Sequence, residues 1–254
     1  MEDSEAKIFD RKMNAPILIE QAYRNALAEW NNKLEHYPDL SDEKVYTQHA
    51  NLVLWIANNV VLGHQHRQFV IDKDNENVLR FLLYYFNNCP LAESVFPGRG
   101  YKLHKNILLM GNVGTGKTLL MQIFSEYLKY IKGDRFFYNL SVTQMVNYYT
   151  LHNNLDKFTF NEEGNKGFQS NPVNICLNDI GVQTTTFFGM DTTKLTDEFL
   201  HARNDIWVQD HKFAHLTTNL SVEQIKEVYK DGFGRLIDRF KTYNIIPITG
   251  TSRR

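Results

Sequence analysis

The stretch Gly111-Asn112-Val113-Gly114-Thr115-Gly116-Lys117-Thr118 constrains this chain more than any other part of it. It fits G-x-x-x-x-G-K-[ST], and each residue type has a physical reason to be there. Glycines let a backbone wrap closely around an anion, where a Cβ would collide. The N–H groups of such a loop point inward as a nest, at the positive end of the next helix. Lys117 adds a mobile charge for the β- and γ-phosphates of ATP, and Thr118 a hydroxyl for Mg²⁺. The flanks agree. Asn106-Ile107-Leu108-Leu109-Met110 is a short apolar run of buried-strand type. Leu119-Leu120-Met121-Gln122-Ile123-Phe124 continues as an apolar-rich helix. Strand, glycine loop and helix together predict a phosphate-binding site over Gly111–Thr118.

A chain of 254 residues, 43% hydrophobic and 22% charged, has room for one large α/β domain and a small appendage. Its formal net charge of −1 spreads no basic field over the surface, so any DNA contact needs a local patch or a partner. Cys89 and Cys176 form no C-x-x-C pair, which suits a reducing compartment. The acidic start Met1-Glu2-Asp3-Ser4-Glu5 is unlike a signal peptide. No apolar run reaches the roughly 18 residues of a membrane span. A cytoplasmic location is expected. His64-Gln65-His66 has strand-type metal spacing, but no further His or Cys cluster supports it, so it reads as a solvated loop.

Along the chain, Asn14-Ala15-Pro16 opens a helix whose apolar stripe is Ile19, Tyr23, Leu27, Trp30 and Leu34. Ser41 is placed to cap a second helix with the stripe Val45, Leu52, Ile56 and Val60, ended by Gly63. These two helices read as a small N-terminal module, 1–68, preceding an ATP-binding domain, 69–254. Their stripes suit either a partner-docking face or a core between the helices. Asn75–Phe86 reads as a helix leading into the larger domain. Further strands are expected at 135–140, 173–177, 213–218 and 245–248. They alternate with helices at 142–151, 193–208, 222–229 and 233–240. Such alternation means a parallel sheet covered on both faces. The polar stretch 156–171 reads as an exposed insertion. Phe136-Phe137-Tyr138 and Tyr148-Tyr149 read as core.

A P-loop site also needs an acid at the tip of a neighbouring strand, and often a second beside it to polarise water. The candidate is Leu177-Asn178-Asp179-Ile180-Gly181-Val182-Gln183. Here the chain resembles the AAA+ ATPases of the DnaC/DnaI helicase-loader and IstB transposition-helper group. Leu216-Thr217-Thr218-Asn219-Leu220 is similar to their sensor 1 strand. Gly234-Arg235-Leu236-Ile237-Asp238-Arg239-Phe240 is similar to their arginine-finger helix, and Gly250-Thr251-Ser252-Arg253-Arg254 to a terminal G-x-S-x-R with a sensor 2 arginine. The match covers roughly residues 70–254, in order.

The resemblance implies an ATPase of AAA+ type that assembles side by side with ATP. Its partner, a replicative helicase or a transposase, would dock on the N-terminal module, with single-stranded DNA as a further ligand. It implies catalytic roles for Asp179, Asn219, Arg239 and Arg254, with Arg235 supporting Arg239. Thr118, Asn178 and Asp179 would face Mg²⁺. One departure matters. The family's strand ends Asp-Glu or Asp-Asp, whereas this one ends Asn178-Asp179. Asn178 then falls on the metal-linked acid and Asp179 on the water-polarising one. A slip would instead bring Asp179 to the metal and leave no base. Nucleotide binding stands in either register; slow hydrolysis follows from Asn178.

Overall fold

The computed structural model describes residues 24–25, 37–162, 170–181, 191–229 and 238–253. The chain divides into a unit over Met1–Pro38 and a second over Asp39–Arg254. The apolar stripe of the first expected helix, together with Gly234, Arg235 and Arg254, lies outside the described residues.

The second unit opens with α1 (Glu43–Trp55), which runs on as a wider π-type turn over Ile56–Val61. Asp42, not Ser41, caps it: the Asp42 carboxylate accepts from the Lys44 and Val45 N–H groups at 2.8 and 3.0 Å. Ser41 is instead occupied with Asp39. Val53, Ile56 and Ala57 join the buried cluster of the α/β body. A division at 68/69 therefore falls inside a compact unit that begins at Asp39, because this apolar stripe is covered by the same core.

Next come α2 (Glu76–Phe86), β1 (Asn106–Met110), α3 (Lys117–Ile131), β2 (Tyr138–Ser141) and α4 (Val142–His152). They are followed by β3 (Ile175–Ile180), α5 (Thr192–Asp210), β4 (Ala214–Thr218), α6 (Val222–Val228) and β5 (Tyr243–Pro247). The strands pair in parallel in the order β2-β3-β4-β1-β5. Both faces of the sheet are covered, which explains the unbroken apolar runs. Ile107, Leu109, Cys176 and Ile246 pack towards α2 and α3, while Leu108, Met110, Leu177 and Leu216 pack into the other cluster, with α4, α5 and α6. Capping boxes at Ser141/Gln144 and Ser221/Gln224 start α4 and α6 directly from the ends of their strands or loops.

Two local readings change. The second strand begins at Tyr138, so Phe136 and Phe137 precede it. Tyr138 is 56% exposed, since β2 is an edge strand, whereas Phe137 is fully buried. The last strand begins at Tyr243 and ends at Pro247, paired along the whole of β1.

Candidate functional site

The loop between β1 and α3 lies at the carboxyl edge of the sheet, where α/β folds place their ligands. Its first glycines are required by space. A Cβ on Gly111 would run into the Ile248 carbonyl, and one on Gly114 into the Ser252 side chain. Gly114 also has φ +83, in the region that side chains rarely adopt. Thr115 closes the turn, its hydroxyl donating to Asn112 O at 2.9 Å. Lys117 opens α3 and is only 4% exposed. Its ammonium donates to Gly111 O at 2.7 Å, Asn112 O at 2.8 Å and Asn219 Oδ1 at 2.7 Å. The lysine thus ties the loop to the tip of β4, beside a cavity of 320 Å³.

Val113, Gly114, Gly116, Lys117 and Thr118 line that cavity together with Asp179 and Asn219. Gly111, Asn112 and Thr115 are not among its lining residues. The strand order explains the meeting: β4, which delivers Asn219, lies between β1 and β3.

Asn178 and Asp179 part company. The β3–β4 register shifts between Leu177 and Ile180, and Asp179 takes φ +62. Aspartate tolerates this left-handed conformation better than most residues. The Asp179 N–H, turned out of the ladder, donates to Thr217 Oγ1 at 2.9 Å. Asn178 is buried and engaged sideways. Its amide donates to Asn139 Oδ1 at 3.2 Å, and its oxygen accepts from the Thr217 hydroxyl at 3.3 Å. Asn139 in turn donates to Met121 O of α3 at 3.4 Å. Among the described lining residues Asp179 is the one carboxylate, and Asn178 is not among them.

The donor set can be weighed against Mg²⁺. That ion keeps several waters and binds through one or two carboxylates plus substrate phosphates. Thr118 and Asp179, which line one cavity, carry a hydroxyl and a carboxylate of the kind that demand calls for.

Residues after β5 cross the loop. Ile248 N–H donates to Met110 O at 2.6 Å and Arg253 N–H to Gly114 O at 2.9 Å. The Arg253 guanidinium grips Asp72 through two contacts of 2.9 Å. This hydrogen-bonded pairing is the main reason the Asp72 carboxyl sits below its ordinary range. Arg253 lines the cavity, and the expected Arg254 lies outside the described residues. Arg67 also lines it and was not singled out by any motif; its guanidinium donates to the Arg253 carbonyl. Arg239 lies elsewhere. It borders a small recess with Asn106 and Tyr243, the first residues of β1 and β5, at the strand ends opposite the loop.

No protein-family model matches the chain, and no curated protein matches it. Among solved structures it is similar to the replication initiator DnaA bound to AMPPCP and single-stranded DNA. The identity is 18%, over 72% of this chain and 49% of that one, about half its length, with a TM-score of 0.48. It is similar to the DnaC helicase loader at 15% identity, over 71% of this chain and 93% of that one, with a TM-score of 0.49. It is similar to domain III of the Thermotoga maritima replication initiation protein DnaA at 17% identity, over 71% and 65% of the two chains, with a TM-score of 0.48. The parallel sheet, the glycine-rich loop between β1 and α3, and the polar tips of β4 and β3 beside it make this an α/β fold of P-loop type, as expected.

Proposed function

We propose that this chain is an ATP-binding AAA+ protein of helicase-loader type, in which nucleotide controls a DNA-associated partner. The observation that carries this reading is the 2.7 Å contact between Lys117 and Asn219, which joins the phosphate loop to the tip of β4 in one cavity with Thr118 and Asp179. On this reading Lys117 exchanges the loop carbonyls for β- and γ-phosphate oxygens. Asn219, released from the ammonium, offers its amide to a water near the γ-phosphate. Thr118 and Asp179 would hold a hydrated Mg²⁺, which would neutralise charge on the phosphoryl group.

Turnover is slow on the same reading. With Asp179 facing the ion, no described lining residue supplies a second carboxylate to polarise the attacking water. Asn178 is tied to Asn139 and Thr217. This favours a second reading, a nucleotide-holding adaptor whose bound ATP stabilises a shape. A replicative helicase is the preferred partner, with a transposase as the alternative, and the first 68 residues as the docking region. The motif series over residues 70–254 supports the helicase-loader class and does not distinguish between these partners.

Arg239 is assigned to a neighbouring subunit's site, consistent with its position at the strand ends away from its own loop. Phosphate release, measured with and without single-stranded DNA, separates the two readings. A loader shows Mg²⁺-dependent turnover that DNA or assembly raises; a holding adaptor binds ATP with no turnover above background. Mixing supplies the trans test. Lys117→Ala subunits can donate a finger but cannot use ATP, so they restore part of the activity lost in Arg239→Ala. A fully active Arg239→Ala protein would end the finger assignment.

A further inference from the structure

The cavity over the loop is one lobe of a two-lobed cleft. Its neighbour, of 260 Å³, is lined by Phe69, Val70 and Leu120, together with Asp72 and Asn75, whose amide is held by the Asp72 N–H and the Val70 carbonyl. Arg67 and Arg253 border both lobes, as do Gly116 and Leu119. Lys117, Asp179 and Asn219 border the first lobe only. The two arginines therefore stand at the junction, and the lysine, acid and amide at the far end.

Their charges are not equivalent. Arg253 is neutralised by Asp72 through two 2.9 Å contacts. Arg67 is exposed and has no carboxylate within 4.0 Å among the described residues. Its contacts are to two neutral oxygens, the Arg253 carbonyl and Gln65 Oε1 at 3.4 Å. A guanidinium with no anion, held at the mouth of a phosphate-binding loop by neutral acceptors, is a ready partner for phosphate oxygens.

We propose that Arg67 is a phosphate ligand of this site, contacting the nucleoside-proximal phosphates of a nucleoside di- or triphosphate. The assignment rests on the P-loop reading and deepens it. The apolar lobe takes the base, the Lys117–Asp179 end takes the terminal phosphate, and the junction between them meets the phosphates nearest the sugar. The γ-phosphate lies beyond its reach. Arg67 therefore serves ATP and ADP alike, and it ties bound nucleotide to the segment between the Ile56–Val61 turn and α2.

The test is titration of the full chain with fluorescent ATP and ADP analogues, each variant held below its own melting temperature. Arg67→Ala weakens both ligands by about tenfold or more and leaves their ratio unchanged, as loss of a charge-assisted hydrogen bond requires. Arg67→Lys recovers only part of the loss, because a point charge replaces a planar fork. Raising the salt narrows the gap between Arg67→Ala and the parent chain. Unchanged affinity in Arg67→Ala, alongside lost binding in Lys117→Ala, would overturn the assignment and leave the P-loop reading standing. A loss confined to ATP would overturn the placement at the junction. Full binding by Lys117→Ala would instead remove the P-loop reading itself, so the two failures are distinguishable.

Discussion

The two halves of the site are built on different principles. The phosphate loop is made by consecutive residues: Gly111 to Thr118 turn on themselves, and Lys117 returns to the carbonyls of Gly111 and Asn112. The acid-bearing tip of β3 is made by its neighbours. Thr217 of β4 takes the Asp179 N–H, while Asn139 of β2 takes the Asn178 amide. A local motif carries its geometry with it. A strand tip receives its geometry from the strands alongside, and a one-residue irregularity in pairing decides which side chain meets the ligand.

The largest expected effect tests the self-contained half. Lys117→Ala should weaken ATP binding by about a hundredfold or more, since several charge-assisted contacts go at once. Calorimetric or fluorescent titration with a parallel melting curve checks this; retained affinity would mean that the loop does not hold phosphate.

The borrowed half is tested by Asn178→Asp. A carboxylate there cannot donate to Asn139 Oδ1 and would be buried against oxygen, so urea unfolding at pH 7 should lose about 2–3 kcal/mol. It should not substitute for Asp179 in Mg²⁺-dependent binding. A variant of full stability with faster turnover would reverse the assignment, making Asn178 the metal-facing position.

The interior beneath β4 gives a pH signature. His215 is fully buried among Tyr85, Phe86, Phe137 and Phe213, and its Nδ1 accepts from the Ile107 N–H at 3.2 Å. Burial, with Arg135 and Arg203 adding to it, drives its pKa down to about 3. The unfolded histidine, with a pKa of about 6.5, takes a proton that the folded one refuses, so stability is full above that value and falls as the pH drops towards 3. Between pH 6.5 and 5 the loss should be about 2 kcal/mol, at roughly 1.4 kcal/mol per unit. His215→Leu should flatten this part of the urea-midpoint profile by one proton. An unchanged slope would place the titration elsewhere and leave the support under the tip independent of His215.

The smallest effect sharpens the division between adjacent residues. Asp179→Asn should keep the fold and cost about tenfold in the affinity gained from Mg²⁺, because the carboxylate facing the cavity loses its charge. Titrations with and without the ion give this difference directly. Equal Mg²⁺ dependence before and after would remove Asp179 from the metal's surroundings.

The phosphate loop, the parallel α/β class and the burial of β1 could be read along the chain because their causes are local. Glycine spacing, unbroken apolar runs and caps act over a few residues. Arg67 could not be read. It meets a carbonyl 186 residues away, and no spacing rule links an isolated arginine to a terminal segment. The same holds for the Arg253–Asp72 pair, which is made between positions 181 residues apart. Nor could the α1 stripe reveal its cover, since apolar periodicity states that a face is buried and not by what.

The sequence by itself determined that a tight glycine-rich loop joins a buried strand to a helix. Only the tertiary structure decided that Asp179, and not Asn178, lines the cavity beside that loop. Side chains alternate strictly along an ideal strand, but the shifted β3–β4 register and the left-handed turn at Asp179 break that alternation. Both are set by strand pairing, which no single stretch of sequence contains.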